Sequence, residues 1–379
     1  MAELFIAGDL LNALTTEDFL DKSMKEIIRK SDFSICNFEA PVDSDGQVIP
    51  KAGSWKSQKL QTVKILKENG FDMLLLANNH ICDYGYEGLK ATLDEIHFQG
   101  LHPIGAGLSS EEAYMPMIRN IGGLKIGYIN ASEAQFGQIA SDHEDRGGYA
   151  WINHRRINEI VTSLKKEVDV LIFLAHAGLE NYDVPLIEWR DRYKELCDLG
   201  ADCVVAAHPH VPQGYEYYNG KPIFYSLGNF FFPKTVKNHT EDGLSLLLKI
   251  DEKKKISGEF IYHRIENGWL KRITEEESTI SVDRLNGLLK EETYNKLVKE
   301  LYPKAYESMS LKYFHSVFQV PASGDSLPKR IKKILVQLFF KNHRKRSREL
   351  LLLHLVRNET NRYVTQRTLQ MKAEGSDDT

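Results

Sequence analysis

Short apolar runs alternate with amphipathic stretches from residue 3 to about 250, and this alternation predicts the fold class. The strand-like runs are Leu4–Ala7, Phe33–Asn37, Met73–Ala77, Ile126–Asn130, Val170–Ala175, Cys203–Ala207 and Ile223–Ser226. Helical spacing appears between them, at Leu60, Val63, Leu66 and Lys67 and again from Gly88 to Ile96. Apolar residues three and four apart share one helix face, whereas short unbroken apolar runs suit strands buried on both sides. The pattern predicts a layered α/β domain, a β-sheet core flanked by helices. Residues 244–250 and 256–265 predict a β-hairpin around Asp251–Lys255. After about residue 275 the strand signals stop and charged helical periodicity takes over. The expected organisation is therefore a domain over 1–270, a helical C-terminal region over 275–372 and a frayed tail over 373–379, with residues 321–328 as a loop or linker.

Five polar clusters fall just beyond strand ends, where α/β sheets form their binding crevices. They are Gly8-Asp9, Asn37-Phe38-Glu39, Asn78-Asn79-His80, the lone His176, and His208-Pro209-His210. One such cluster alone reads as a cap or a satisfied buried group; five at the edge of one sheet point to a site. Divalent transition ions such as Mn, Fe or Zn take mixed carboxylate, imidazole and amide-carbonyl ligands. Two ions about 3.5–4 Å apart can clamp both the attacking and the leaving oxygen of a displacement. Asp9, Glu39, Asn79, His176, His208 and His210 supply such a ligand set for one or two ions. His80 is the candidate proton donor or charge stabiliser. Glu180, four residues beyond His176, either orients a ligand or acts as an acid/base. Asn37, Tyr225, Ser226 and Asn229 are candidate substrate contacts, turn chemistry being the other reading of the last three. Asp83 is expected to cap the helix that follows it, and Cys82 to pack.

The ordered series Gly-Asp, Asn-x-Glu, Asn-Asn-His, a solitary His and His-x-His resembles the calcineurin-like metallophosphoesterases. It resembles more closely their CapA-like branch, the bacterial capsule and poly-γ-glutamate synthesis proteins. The matching stretches are Asn37-Phe-Glu-Ala-Pro-Val42, the run from Leu76 to Leu89, His176-Ala-Gly-Leu-Glu-Asn-Tyr182, the run from His208 to Glu216 and Lys221-Pro-Ile-Phe-Tyr-Ser-Leu-Gly-Asn-Phe-Phe-Phe232. The resemblance implies a metallophosphatase-like fold, with one ion at Asp9, Glu39 and His210 and a second at Glu39, Asn79, His176 and His208, Glu39 bridging. The wider family usually carries a His two residues after the first Asp, where this chain has Leu11, so the first position is expected to be the poorer in ligands. The implied function is metal-dependent hydrolysis or group transfer in capsule, exopolysaccharide or poly-γ-glutamate biosynthesis. The alternatives are a non-catalytic accessory subunit of a polymer synthesis complex, or a cytosolic metallophosphodiesterase. The implied partners are an anionic polymer or its precursor, and polymer synthetase subunits.

Composition narrows these options modestly. Of 379 residues 42% are hydrophobic and 27% charged, which allows a substantial core. A formal net charge of -4 argues against a generally basic nucleic-acid binder. Cys36, Cys82, Cys197 and Cys203 form no CxxC pair, which fits a reducing cytosol. With no leader-like start and no membrane-length apolar run, the expected location is cytoplasmic. Residues 329–348 concentrate nine Lys/Arg without an Asp or Glu, interleaved with Ile331, Ile334, Leu335, Leu338, Phe339 and Phe340. This segment reads either as a basic amphipathic helix, placed peripherally on the anionic inner face of a membrane or on a polyanionic chain, or as a helix packed on its own domain.

Overall fold

Side chains alternate along the first strand, β1 (Ala2–Leu10), and divide the core in two. Leu4 and Ile6 join one apolar cluster and Phe5 and Ala7 the other, which Leu10 also joins after the register shift beside Asp9. This is the period-2 geometry of a strand buried on both faces. The computed structural model describes residues 1–141, 146–233, 241–309 and 341–374. The chain forms two compact units, Met1–Ile49 with Trp55–Tyr294, and Pro50–Ser54 with Asn295–Thr379.

The first unit holds two main sheets. The larger runs β17 (Trp269–Arg272), β16 (Ile256–Glu266), β15 (Glu241–Ile250), β1, β2 (Phe33–Phe38), β3 (Met73–Leu75) and β4 (His102–Ile104), with β14 (Asn229–Phe231) pairing the end of β1. The second runs β12 (Tyr215–Tyr218), β13 (Lys221–Phe224), β11 (Cys203–Ala207), β10 (Val170–His176), β7 (Leu124–Ser132) and β6 (Met117–Ile121). Three short strands, β5 (Ala106–Gly107), β8 (Gln138–Ile139) and β9 (Gly148–Ala150), form a separate small sheet. Strands β1 to β4 are parallel, and so are β7, β10, β11 and β13, so each sheet gathers its carboxyl ends on one edge.

The apolar cluster containing Ile6, Ile35, Leu75, Ile172, Leu174 and Val205 draws on both sheets and fills the layer between them. The other cluster packs β1 and β2 against the helices Lys22–Lys30, Gln61–Glu68 and Gly85–Phe98 through Met24, Ile28, Val63, Leu66, Leu93 and Ile96. The expected layered α/β class and the hairpin are present. The strands divide between two facing sheets, however, and do not build one, because pairing order is set by contacts far apart in sequence.

The helices Val282–Leu288 and Glu291–Met309 follow the last strand, and Lys341–Arg357 and Glu359–Glu374 lie in the second unit. There the guanidinium of Arg367 sits 5.6 Å from the ring centre of Tyr302, and the ammonium of Lys372 5.0 Å from that of Tyr306. The linker 321–328, the basic segment as far as residue 340 and the tail 375–379 lie outside the described residues. No described helix is long and apolar enough to cross a membrane.

Strand β16 carries a buried histidine that sets a pH limit. His263 is 1% exposed, packs edge-on against Phe230, and has no hydrogen-bond partner at either ring nitrogen. Burial pushes its pKa down to about 4, with the charge of Asp242 offsetting only part. The unfolded chain, titrating near 6.5, binds more protons than the folded one between those values, so stability falls as pH drops through that window. Replacing His263 with Leu is expected to remove about 3 kcal/mol of acid sensitivity. Urea unfolding at pH 7 and pH 4.5 measures it; the same pH dependence in both proteins would refute the assignment.

Candidate metal centre

Close backbone approach begins the site. A Cβ on Gly8 would lie 2.0 Å from the carbonyl oxygen of Gly228, so only glycine lets β1 reach that chain. The next amide, of Asp9, donates to the same oxygen at 3.0 Å, which seats the fully buried Asp9 opposite Asn229. Beyond β2, the Glu39 amide donates to the carbonyl of Leu10 at 2.9 Å. The Asn78 side chain accepts from the amides of His80 and Ile81 and donates to the carbonyl of Phe38, pinning the turn that carries Asn79 and His80. After β11, His208 and His210 have φ of 101° and 61°, left-handed values that cost on the order of 1–3 kcal/mol each. The His208 amide donates to Asp9 Oδ2 at 3.1 Å, one of the contacts holding that backbone in place.

These strand ends meet. His208 Nδ1 lies 3.0 Å from His176 Nε2, and Asn79 Oδ1 lies 3.2 Å from that same nitrogen. Glu39 Oε1 is 4.0 Å from His176 Nε2 and 3.7 Å from His210 Nε2, and Asp9 Oδ2 is 3.4 Å from His210 Nδ1. Two groups result, Glu39 with His176 and His208, and Asp9 with Glu39 and His210, each with donor atoms within 4.8 Å of one another. Glu39 belongs to both. Its two carboxylate oxygens and Asn37 Oδ1 are buried with no hydrogen-bond partner. A polar group abandoned in this way is costly, and a cation between the two groups would satisfy it, so the residues fit a divalent ion in either place.

The electrostatics favour the same occupant. Burial pushes the Glu39 carboxyl well above its ordinary range, partly offset by His210. Burial holds His176 well below its usual value and takes His208 down to about 4, so both rings are neutral at pH 7 and offer lone pairs. Burial also opposes charge on His210, but Glu39 and Asp9 outweigh it and raise that group to about 10. In the metal-free protein a proton thus stands where a cation would neutralise the carboxylates.

The remaining candidates separate clearly. His80 Nδ1 lies 2.7 Å from Asp83 Oδ2, an oxygen that also accepts from the Lys56 amide at 2.7 Å. Asp83 therefore does not cap the next helix, whose N-cap is Tyr84 without a side-chain bond. Glu180 is exposed, and its charge acts on Glu39, His208 and His210. Asn37 Nδ2 reaches Asp9 Oδ1 at 2.6 Å and His176 Nδ1 at 3.0 Å, while Asn229 links His210 Nδ1 at 2.9 Å to Glu241 at 2.5 Å. Both asparagines orient candidate ligands. Tyr225 and Ser226 are not brought to the cluster: each is 1% exposed, the tyrosine hydroxyl donates to Glu216, and the serine oxygen accepts from the Gly228 amide. Leu11 is a buried apolar side chain. Sequence reasoning missed Glu133, a fully buried carboxylate beyond β7 whose Oε1 lies 3.7 Å from His208 Nε2. The strand-end rule that found the other clusters applies to Asn130-Ala-Ser-Glu133 as well.

A two-sheet α/β fold with adjoining carboxylate–imidazole groups at its strand ends defines a class of candidate metal-centre proteins. The family model for the bacterial capsule synthesis protein PGA_cap matches residues 6–234, a range that contains all of these residues, and the chain belongs to that family. It is 32% identical over 246 residues to the PGA biosynthesis protein CapA of Bacillus subtilis, covering 64% of this chain and 63% of that one. It is 30% identical over 221 residues to the capsule biosynthesis protein CapA of Bacillus anthracis, covering 57% of this chain and 54% of that one. The matched region thus spans less than two thirds of either relative. Among solved structures, a putative 5'-nucleotidase from Staphylococcus aureus aligns with a TM-score of 0.46 at 16% identity, over 77% of this chain and 58% of that one.

Proposed function

We propose that the protein is a metal-dependent hydrolase or group-transfer enzyme of capsule, exopolysaccharide or poly-γ-glutamate biosynthesis. The observation that carries this reading is Glu39, a buried carboxylate with neither oxygen hydrogen-bonded, shared between two groups of donors. Mn, Fe and Zn accept this mixture of carboxylate, imidazole and amide oxygen. Asp9, Glu39 and His210 would hold one ion, and Glu39, Asn79, His176 and His208 the other. Bound there, the ions would supply Lewis-acid stabilisation of charge on the reacting oxygens. Asp83 engages Nδ1 of His80, which makes Nε2 the atom that passes a proton to the leaving group. Asn37 and Asn229 orient their neighbours, and Glu180 serves as a further acid/base or orienting group.

The capsule relatives support an anionic polymer or its precursor as the partner, and synthetase subunits beside it. The basic segment 329–348 would meet that polymer or an anionic membrane surface, a peripheral placement that needs no spanning helix.

Metal analysis under graded chelation, combined with assays on γ-glutamyl amides and generic phosphoesters, tests the reading. At least one transition ion per chain is expected. The ion at Asp9 and His210 should leave first, because Leu11 gives that position no further ligand. Protein that takes up no transition metal on reloading would overturn the proposal. Full metal content without turnover on either substrate class would turn it into a metal-stabilised accessory subunit.

A further inference from the structure

We propose that Glu133 is a positioning residue that fixes the tautomer of His208 and so sets the affinity of the second ion position; this rests on the metal reading above. The carboxylate is held in one orientation. Gln135 Nε2 donates to its Oε1 at 2.7 Å, and the Gly178 amide donates to its Oε2 at 3.2 Å. Its own amide donates to the carbonyl of His176 at 3.1 Å, tying it to the strand end that carries the neighbouring imidazole. Held this way, Oε1 stands 3.7 Å from His208 Nε2, while the other ring nitrogen, Nδ1, lies 3.0 Å from His176 Nε2.

A neutral imidazole has one N–H and one lone pair, and its surroundings decide which nitrogen carries which. At 3.7 Å the carboxylate is beyond hydrogen-bond range, so it acts on the ring through charge, and the full burial of both side chains strengthens the interaction. A negative charge beside Nε2 favours the proton there. Nδ1 is then left with its lone pair facing His176. With the opposite tautomer an N–H would point into the donor group and would have to be removed before an ion could bind. A carboxylate buried only for stability would be a poor choice, because burial is costly and an apolar residue of similar size usually does as well. Its value lies in what it does to the ring. Carboxylates that orient a ligating histidine typically contribute 10–100-fold in metal affinity.

The test compares full-length wild type with Glu133→Gln, which keeps the size and much of the hydrogen bonding but removes the charge. Metal-free protein is titrated with Mn²⁺ and with Zn²⁺ by calorimetry, and the imidazole nitrogens are followed by ¹⁵N NMR before metal is added. The expected result is a loss of about 10–100-fold at the Glu39–His176–His208 position only. The His208 signal should move from an Nε2–H form toward a mixture. Gln135→Ala, which loosens the carboxylate from outside the donor groups, should weaken the same position less, and it carries the test if Glu133→Gln does not fold. Wild-type affinity with an unmoved His208 tautomer in a folded variant would overturn the role of Glu133 alone. A wild type that binds neither ion would sink the metal centre itself, and this role with it.

Discussion

Replacing Glu39 with Gln is expected to abolish binding at both ion positions and, at the same time, to raise the stability of the metal-free protein. Among the described residues it is the only one shared by the two donor groups, so the variant leaves His176 and His208 without a carboxylate and leaves His210 with Asp9 alone. In the metal-free state that carboxylate is buried with both oxygens unpartnered, and a neutral amide of the same shape relieves the penalty. The gain is about 1–3 kcal/mol, reduced by the attraction His210 loses. The sign with pH follows from the raised pKa. The folded state holds this proton more tightly than the unfolded chain, so Glu39's own contribution favours the metal-free fold near and below pH 4.5 and is lost as pH rises from there, opposite in sign to that of His263. The variant should lack this dependence. Ion uptake by the wild type should run the other way and weaken in acid, because His210 must shed a proton held up to about 10 before it can ligate. Thermal melts with and without chelator, with metal analysis of each sample, measure all three effects. A variant that keeps two ions would remove Glu39 from the centre.

Replacing His80 with Ala is expected to lower turnover by about 10²–10⁴-fold with metal content unchanged. His80 lies outside both donor groups, while its Nδ1 is engaged by a buried carboxylate 2.7 Å away. Asp83→Asn should give a smaller loss, since the ring stays but its preferred proton position is no longer imposed. Steady-state kinetics on the substrate class that wild type turns over, beside metal analysis, separate the roles. Wild-type turnover in His80→Ala would exclude it as the acid, and loss of metal would make it a ligand.

Much of this centre was legible in the sequence because strand ends are local features. An apolar run followed by Asp9, by Glu39, by Asn79 or by His176 states both the strand and the edge where it stops, and the structure brings those residues together. Direction was harder to read. Tyr225 and Ser226 end a strand, as the site residues do, yet their hydroxyls are committed to Glu216 on the paired strand and to the Gly228 amide two residues on. Glu133 was missed because its strand continues to Ser132, two residues past the apolar run that ends at Asn130. Asp83 precedes a helix, as a cap would, but is drawn instead to His80 and the Lys56 amide. Nor could local pattern reveal that the runs sort into two sheets.

That sorting has a mechanical consequence. Asp9 lies at the end of β1, with Glu39 and Asn79 following β2 and β3 of the larger sheet, whereas His176 ends β10, with His208 and His210 following β11 of the smaller one. An ion shared among them would be a rivet through the seam of the sandwich, added to the side-chain packing and to hydrogen bonds such as those from the His208 amide to Asp9 and from the Ala77 amide to Asn130. All four cysteines are buried and free, so no disulfide fastens that seam. Such a rivet can be withdrawn: at a free-ion level about 100 times its Kd it adds about 2.7 kcal/mol, and as the ion is depleted that contribution vanishes. The grip between the layers would then follow the metal supply around the protein.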